Sequence, residues 1–506
     1  MERLDGAAVR GWADAAAGLL ALAAPRIDAV NVFPVPDADT GTNVLLTVAG
    51  GARAATRAAA RDGAGAVARA FAAGTLTAAR GNSGVIVSQW LAGFAAALGH
   101  GESGGAPELA VALEAGALAA HGAVAEPQEG TVLTVARLVG ERARHAARTG
   151  ATLPALLGPV LDETRRELTR ISAEHPVLRA AHVVDAGACA LLVLLEALDG
   201  VLRGEAGALV VPAWLPERGV DPADLAAWRA AEPGGAYEVM ALVRPEVPDA
   251  TLGGVLRERL AGVGDSVAVV GADAVWQVHV HTDDPAAAIE AAALGTRSQV
   301  VVRLVEGAAA QVAAGDDLGL VVATAEPGTA RFFATGGAVV VVRCPEEPAT
   351  TEHLVRAVAD TGAHRVVVVS GSAELAAAAD GVGRSDELAG VAVETVCAGD
   401  TAATAVAALA VLGSRGDCAS RADEARAALA RLRTVDVEVW GDLATVAAAL
   451  VDDAAGTAEA VTVQHGAGRQ DEAEALREHL EETYPDLDVV LVGPVAAGPA
   501  WRIGVD

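Results

Sequence analysis

The chain has 506 residues, of which 52 % are hydrophobic and 20 % charged, and its formal net charge is −29. This length favours about three domains, and so apolar a composition argues against an intrinsically disordered chain. The excess of 66 acidic over 37 basic residues argues against nucleic acids and anionic membrane surfaces as partners, because both carry negative charge.

The start of the chain and its cysteines indicate the compartment. No apolar stretch stands out as both long and clean enough to span a bilayer, and Glu2 and Asp5 do not fit a signal peptide. We therefore expect a cytoplasmic protein without an integral membrane segment. The cysteines form no CxxC pair, so neither a disulfide framework nor a zinc ribbon is expected. They are Cys189, Cys344, Cys397 and Cys418, of which the last three are expected to be buried as small apolar residues.

The chain contains no lysine, and every basic side chain other than histidine is arginine. A Walker-A loop and a protein-kinase fold each place a lysine on the nucleotide phosphates. If this chain handles nucleotides, metal ions, backbone amides and arginines must contact the phosphates instead.

The pattern of apolar residues divides the chain into three predicted domains. Residues 1–205 are predicted to be all-α, and the Gly- and Pro-punctuated residues 206–234 are a predicted linker. Residues 235–312 contain four predicted strands and one helix, which favours a small α+β domain. In residues 313–506, apolar strands alternate with helices, as is typical of an α/β domain with a parallel sheet. Its last strands, "VEVWGD", "AVTVQHG" and "LDVVLVG", either extend that sheet or form another lobe.

The sequence "NVFPVPDADTGTN" (31–43) carries two carboxylates on a loop that prolines stiffen. Asp37 and Asp39 precede residues that suit the first turn of a helix. The N-terminus of a helix attracts phosphate, and carboxylate oxygens suit Mg²⁺, which often bridges to substrate phosphates. On this stretch alone, a simple turn with capping aspartates is the commoner interpretation.

Three further loops with similar composition open predicted helices. They are "ARGNSGVIVSQWL" (79–91), "EGTVLTVARLV" (129–139) and "VVDAGACALLVLLEAL" (183–198). Glycine and serine let backbone amides approach an anion closely. Four such loops in one helical domain predict that several helix N-termini gather around one anionic ligand.

In their order and spacing, these four motifs resemble the nucleotide-binding (DhaL, or Dak phosphatase) domain of the dihydroxyacetone kinase family. The chain also resembles the multidomain ATP-binding subunit of bacterial fatty acid kinase, since "GDSVAVVGADAVWQVHVHTDDP" (264–285) is similar to that family's middle domain. The resemblance implies an antiparallel helical barrel that holds ATP or ADP with two Mg²⁺ ions at one end.

The resemblance also implies which residues contact the ligands. Asp37 and Asp39 fall on the magnesium-binding positions, and Asn31 supplies or orients a further oxygen. The implied nucleotide-binding residues are Thr42, Asn43, Gly81, Asn82, Ser83, Gly84, Thr131, Asp185 and Gly187. Metal charge would replace the missing lysine. Ala38 stands where the family usually has glycine. An alanine is tolerated at this position if its φ is negative, and it would stiffen the metal loop.

His279 and His281 alternate along "QVHVHTDD", so both point to one face of a strand, together with Gln277. Two histidines at this spacing suit zinc if further ligands are present, and an exposed polar strand face is the equally weighted alternative. The resemblance implies a catalytic or metal site here with a cysteine on a neighbouring strand. Glu238 stands at that position, which leaves zinc open and keeps a functional role for the histidines.

Three functions are compatible with these features. The leading one is a Mg-ATP-dependent kinase subunit that phosphorylates a small acid, such as a fatty acid, presented by a separate lipid-carrier protein. The carrier would dock on the C-terminal domain, although "CPEEPATT" (344–351) and "SGSAEL" (370–375) depart from the family's loops. A dihydroxyacetone-type kinase and a nucleotide-binding scaffold with weak turnover are the alternatives, and the oligomeric state, including a homodimer, stays open.

Overall fold

The structure is a computed structural model in which residues 2–59, 61–124, 127–205, 209–217, 219–220, 235–272, 274–305, 317–454, 458–496 and 498–506 are described. It divides into two compact units. The first comprises residues 1–234, 247–261 and 265–279, and the second comprises residues 235–246, 262–264 and 280–506. Most of the predicted linker 206–234 lies outside the described residues.

The first unit is built from helices over most of its length, as the sequence predicts. Asp5, Thr131 and Asp185 each precede a helix and accept a hydrogen bond from a backbone N–H of its first turn. The helices are α1 (Gly6–Asp28), α2 (Thr40–Arg57), α3 (Ala64–Ala78), α4 (Gly81–Leu98), α5 (Ala106–Ala123), α6 (Val132–Arg148), α7 (Leu157–Ser172), α8 (Pro176–Ala181) and α9 (Ala186–Arg203). The unit also contains the short antiparallel strands β1 (Leu4–Asp5) and β2 (Ser103–Gly104).

The long helices pack in chain order, and the ring closes because α1 also packs against α9. Trp12 lies at the centre of the core, with its ring centroid 5.4 Å from that of Phe71 and 5.2 Å from that of Phe94. Its indole Nε1 donates to the carbonyl of Leu194 at 2.9 Å, which satisfies the polar atom of a fully buried side chain. The ring of helices therefore encloses one continuous apolar core.

Helix α1 is long and apolar enough, by length and composition, to cross a membrane, which the sequence analysis did not single out. Half of its most apolar window is buried, and Trp12, Leu20 and Ile27 belong to the helical core. The core helix of a globular domain meets the same criterion. No other described helix meets it.

The first unit continues into α10 (Leu252–Ala261), β4 (Asp265–Ala272) and most of β5 (Val275–Thr282). The second unit contributes six neighbouring strands in the order β10-β9-β7-β8-β6-β3. These strands are β3 (Tyr237–Arg244), β6 (Thr296–Leu304), β7 (Leu318–Thr324), β8 (Val339–Val342), β9 (Arg365–Ser370) and β10 (Ala392–Cys397). The strands predicted within residues 235–397 are confirmed, with ends shifted by a few residues.

Strands β7, β8, β9 and β10 run parallel, whereas β3 pairs antiparallel with β6, and β6 antiparallel with β8. Strands β7, β8 and β9 are short runs rich in valine that are buried over most of their length. The helices of this region are α11 (Pro285–Ala291), α12 (Ala330–Thr335), α13 (Thr351–Asp360), α14 (Ala373–Ala379), α15 (Thr401–Gly413) and α16 (Cys418–Arg431), of which the second to fourth connect the parallel strands. The predicted α/β architecture is confirmed.

The tail forms a sheet of its own, in the strand order β11-β14-β12-β13. Its elements are β11 (Arg433–Val437), α17 (Trp440–Asp453), β12 (Ala460–Gly466), α18 (Gln470–Thr483), β13 (Asp488–Val495) and β14 (Trp501–Val505). The prediction of a strand over "VEVWGD" was wrong, because β11 ends at Val437 and a helix begins three residues later. The separate-lobe alternative for the tail is the one that the structure adopts.

Three of the four cysteines are buried, but Cys397, at the end of β10, is exposed. The expectation that Cys397 is buried was therefore wrong. Strand β10 stands at the edge of its sheet, and its pattern of burial is half open, so its last side chain is not covered. Burial strongly raises the pKa of the Cys189 thiol, which keeps that side chain in its neutral form.

Candidate functional site

The acidic loop, defined here as residues 31–39, joins α1 to α2 and is held together by Asn31. The buried Asn31 amide donates to the carbonyl of Val35 at 3.1 Å and to the carboxylate of Asp37 at 2.5 Å. The Thr40 hydroxyl donates to the Asn31 amide oxygen at 2.6 Å. Asn31 therefore orients Asp37, and the oxygen that it would offer a metal is already bonded to Thr40.

The first turn of α2 is capped by Asp28, which the sequence analysis missed. One carboxylate oxygen accepts from the Gly41 N–H at 2.6 Å and the Thr42 N–H at 3.1 Å, and the other accepts from the Thr42 hydroxyl at 2.8 Å. Asp39, which directly precedes α2, makes no capping hydrogen bond with its side chain. The aspartates of the acidic loop are thus not needed as caps, unlike in the simple-turn interpretation.

Burial raises the pKa of Asp28 to about 6, although its hydrogen bonds to Thr42 and Gly41 oppose that rise. The nearby negative charge of Asp39 adds to the rise. One of the carboxylates at this helix end, that of Asp28, therefore has a pKa not far below neutral. A cation bound nearby would lower the pKa of Asp28 again.

The N-terminus of α4 lies against that of α2. The hydroxyl oxygens of Thr40 and Ser83 are 3.2 Å apart, and the Arg80 N–H donates to the Thr47 hydroxyl at 3.1 Å. Gly81 has φ +55°, and a Cβ at this position would lie 2.3 Å from the Asn43 amide nitrogen. Only glycine permits this approach, so two helix-opening motifs that are about 40 residues apart meet in space.

Asn82 carries a buried polar atom at this junction. Its amide oxygen is buried and has no hydrogen-bond partner among the described residues. Buried polar atoms are normally satisfied by protein, water or a ligand. A 180° rotation of the amide would present nitrogen instead, so this position suits a polar ligand of either character.

The N-termini of α6 and α9 form a second pair. The buried Asp185 carboxylate caps α9 by accepting from the Ala188 N–H at 2.7 Å, and it also accepts from the backbone of Val132 in the first turn of α6. Burial raises the pKa of Asp185 to about 6. Thr131 caps α6 through the Leu133 N–H, and a Cβ at Gly187 would lie 3.2 Å from the Asp185 carboxylate.

His175 connects the acidic loop with the start of α6. Its ring centroid lies 4.0 Å from that of Phe33 in the acidic loop. Gly130, two residues before α6, has φ +85° and packs against the His175 backbone. A Cβ at Gly130 would lie only 2.6 Å from the His175 backbone nitrogen. The sequence-predicted residues of all four motifs therefore lie at one end of the helical ring, although His175 itself was not predicted.

The residues at this end fit a magnesium-bound phosphate ligand by their chemistry. The acidic loop offers the carboxylates of Asp37 and Asp39, which are the hard oxygen donors that Mg²⁺ prefers. The first turns of α2 and α4 supply glycine-rich backbone and hydroxyl groups, and Asn82 supplies the unsatisfied amide. Thr42 is the exception, because its N–H and hydroxyl already bond to Asp28.

A second group of polar side chains lies in the middle region. The ligand atoms of Glu238, His279 and His281 lie within 4.8 Å of one another, and all three side chains are buried. The alternative of an exposed polar strand face was therefore wrong. Gln277, also fully buried, has no hydrogen-bond partner for either amide atom among the described residues.

Glu238 also forms an ion pair with Arg303. The two residues are direct cross-strand partners in the antiparallel pair β3 and β6, and both side chains are largely buried. A glutamate with two histidines is a donor set that catalytic zinc accepts. The three side chains thus fit a zinc ion in donor type and proximity, and the second carboxylate oxygen of Glu238 would serve as ligand beside the Arg303 contact.

The fold and these sites define a multidomain protein in which a helical domain with an acidic loop precedes α/β regions. Residues 34–200 match the DAK2 domain, and residues 234–306 match the middle domain of the FakA-like family, which is named for fatty acid kinase. The chain therefore carries both domains, and the resemblance seen in the motifs is confirmed. Both domain types belong to families that are associated with kinase function.

The chain is similar to several bacterial proteins. It is 34 % identical over 299 residues to protein YloV of Bacillus subtilis, a match that covers 56 % of this chain and 52 % of YloV. It is 34 % identical over 267 residues to an uncharacterised protein of Staphylococcus saprophyticus, covering 52 % of this chain and 48 % of that protein. The chain thus spans about half the length of the curated relatives it matches.

Proposed function

We propose that the chain is the Mg-ATP-dependent subunit of a phosphotransferase, and that it phosphorylates a fatty acid or another small acid presented by a separate carrier protein. The DAK2 domain would hold the nucleotide, and the middle domain would act on the acceptor side. The match to the middle domain of the FakA-like family supports this choice over a dihydroxyacetone-type kinase.

One observation carries the nucleotide part of the proposal. The first turns of α2 and α4 meet through the contact between Thr40 and Ser83, directly beside the acidic loop. Backbone N–H groups at a helix start attract phosphate, and a carboxylate pair beside them attracts the cation that accompanies it. A simple helix cap needs neither the second helix nor the carboxylates.

In this proposal Asp37 and Asp39 hold Mg²⁺, while Asn31 keeps Asp37 in its orientation. Bound Mg²⁺ would neutralise phosphate charge and so take the part that a lysine plays in other kinases. Asn43, Gly81, Asn82, Ser83 and Gly84 would line the phosphates. Thr131, Asp185 and Gly187 would line the nucleotide from the neighbouring helix starts, with Thr42 fixing the first turn of α2 through Asp28.

An acidic acceptor suits a site of this kind. A carboxylate is already ionised at neutral pH, so its transfer reaction needs no general base to remove a proton. Positioning and charge neutralisation then supply the catalysis, as in phosphoryl transfer generally. His279 and His281 would contact the acceptor or a metal ion beside it, since their side chains cluster with Glu238.

Calorimetry with ADP and ATP at saturating Mg²⁺ tests the nucleotide site. The wild type should bind with Mg²⁺ dependence, and Asp39→Asn should weaken binding by at least about tenfold, because removing one charged interaction costs roughly 1.4 kcal/mol or more. Asp14→Asn, an exposed aspartate on α1, is the matched control and should bind like wild type. Equal affinities of Asp39→Asn and wild type would remove Asp39 from the metal site.

The acceptor is tested by recovering partners from the native host. The isolated chain should hydrolyse ATP or transfer its γ-phosphoryl group only slowly, and a co-purified carrier with its bound acid should accelerate the transfer. Rapid phosphorylation of a small molecule by the pure chain would contradict the carrier-dependent scheme. Tight nucleotide binding without any transfer, even with the recovered partner, would favour a nucleotide-binding scaffold.

A further inference from the structure

The second unit contains a cleft that the phosphotransferase proposal does not use. It encloses about 780 Å³ and is lined only by residues of that unit. Binding sites for small molecules generally range over roughly 300–1,000 Å³, so this cleft is large enough for a ligand of substantial size. Its walls come from β7, α12, α15 and the β13 region.

The walls of the cleft are mainly apolar. Its apolar lining includes Leu320, Phe332, Phe333, Leu409, Leu412 and Leu491. Leu409 and Leu412 are three residues apart on α15, so they share one face of that helix, and they are 38 % and 37 % exposed. Large apolar side chains that face an open cleft would gain free energy from an apolar ligand that covers them.

One cation stands in the lining of the cleft. Arg331 is exposed, its guanidinium carbon lies 6.0 Å from the Tyr237 ring centroid, and it forms no ion pair with any described residue. Since no described carboxylate neutralises it, the Arg331 guanidinium is available to an external anion, which it can bind through charge and hydrogen bonds.

The other charged residue of the lining is Asp284. Its carboxylate caps α11 by accepting from the Ala287 N–H at 3.1 Å. With a single arginine and a nearby aspartate, the lining offers too little positive charge for a phosphate monoester, which carries almost two negative charges near neutral pH, and suits a singly charged anion better. A planar guanidinium also binds a carboxylate through two parallel hydrogen bonds.

We propose that this cleft binds a long-chain carboxylate, with the apolar chain against α12 and α15 and the carboxylate on Arg331. The chain itself would then bind a free fatty acid, in addition to any acid that a carrier presents. Binding of this kind needs neither nucleotide nor partner, so it succeeds or fails independently of the proposed phosphotransferase function.

Equilibrium dialysis of the full chain with radiolabelled palmitate, without nucleotide, tests the proposal. Wild type should bind palmitate, and both Arg331→Gln and Leu409→Gln should weaken binding by about tenfold, as expected when one charged contact or one apolar contact of about 1.4 kcal/mol is lost. Arg343→Gln, an arginine already paired with Glu374, and Val435→Gln, with 38 % exposure outside the cleft, are the matched controls.

Two ligand arms and one mapping measurement complete the test. Hexadecanol should bind at least tenfold more weakly than palmitate, and dodecyl phosphate should not outcompete a carboxylate of equal length. Equal binding of the alcohol, preference for the phosphate or unchanged binding by Arg331→Gln would overturn the proposal. A photoreactive fatty acid should label wild-type peptides from residues 330–336 or 401–413, and labelling confined to other segments would also overturn it.

Discussion

Asp28 and Thr42 hold the end of α1 against the start of α2 through two hydrogen bonds, one from the Thr42 N–H at 3.1 Å and one from its hydroxyl at 2.8 Å. These bonds leave Asp39, the residue before α2, outside the capping arrangement. Helix α2 is thereby capped without the carboxylates of the acidic loop, because a separate residue stabilises its first turn. Asp28 thus stabilises the helix start at the candidate site without belonging to the predicted ligand-binding residues.

Removing this cap should loosen the first turn of α2. Asp28→Ala should destabilise that turn by roughly 1–2 kcal/mol, the usual cost of losing a helix cap. Asp28→Asn should change it much less, because its amide oxygen accepts the same backbone hydrogen bonds without a buried charge. Hydrogen exchange of residues 40–43, followed by mass spectrometry, measures the effect, and equal exchange in the alanine and asparagine variants would contradict it.

Asp185 should make stability depend on pH, because burial raises its pKa from 3.8 to about 6. A carboxyl with a raised folded-state pKa contributes stability that is fully present below about pH 4 and is lost as the pH rises through 6. Asp185→Asn removes this titration and retains an acceptor for the Ala188 N–H.

The thermal midpoint of wild type minus that of Asp185→Asn, measured without Mg²⁺ or nucleotide, should therefore decrease as the pH is raised from 4 to 7. Asp14→Asn, at an exposed position, serves as the control and should show no such trend. A difference that stays constant over this range would show that the buried carboxyl does not titrate as expected.

The sequence predicted the helices and strands well wherever a local pattern of residues decides the structure. Valine-rich runs gave the parallel strands, and Ser, Thr or Asp before an apolar run gave the helix starts. Asp28 escaped prediction because it lies 13 residues before its partner Gly41, on another helix, and only the path of the acidic loop brings the two together. Its role depends on tertiary structure, which a local motif does not encode.

The pairing of Glu238 with Arg303 was hidden for a similar reason. The two residues are 65 positions apart, and their contact depends on the register of β3 against β6. A shift of that register by one residue would turn one side chain to the other face of the sheet. The sequence therefore indicated a polar cluster around His279 and His281 but not the cation that neutralises it.

Ala38 adopts φ +57°, in the left-handed region, where the sequence analysis had considered a negative φ. This conformation costs a non-glycine residue roughly 1–2 kcal/mol, and the greater unfolded-state freedom of glycine offsets about 0.4–1 kcal/mol of the gain from replacing it. Ala38→Gly should therefore stabilise the acidic loop by up to about 1 kcal/mol.

Slower hydrogen exchange in residues 31–43 would show this stabilisation. Ala29→Gly, where φ is −63°, is the matched control and should instead accelerate exchange at the end of α1. Faster exchange of the acidic loop in Ala38→Gly would mean that the alanine side chain contributes contacts that outweigh its backbone strain.

His281 should matter for transfer to the acceptor and not for nucleotide binding. If it acts beside the acceptor, His281→Ala should reduce partner-dependent phosphorylation by about 100-fold or more, the scale of lost acid–base or metal catalysis. ADP affinity should stay within about twofold of wild type. His479→Ala, at an exposed position on α18, is the control, and full activity of His281→Ala would exclude this role.

Arg303 should be interchangeable in part with a metal ion, because both would neutralise the buried Glu238. Arg303→Gln leaves that carboxylate without its cation, which typically costs 3–5 kcal/mol in a buried ion pair. Added Zn²⁺ would then find a charged glutamate beside His279 and His281, without a repelling guanidinium. Thermal unfolding with EDTA should show a large loss of stability for Arg303→Gln, and Zn²⁺ should restore most of it.

Arg426→Gln, which breaks an exposed ion pair with Glu394, should lose little stability and gain nothing from Zn²⁺. Elemental analysis after dialysis should find more zinc in Arg303→Gln than in wild type, because the arginine competes with the metal for Glu238. If wild type already binds zinc tightly and Arg303→Gln loses it, the arginine instead orients the carboxylate as part of the outer shell of a metal site. That result would reverse the sign of this prediction, since the arginine and the metal would then stabilise the same arrangement together.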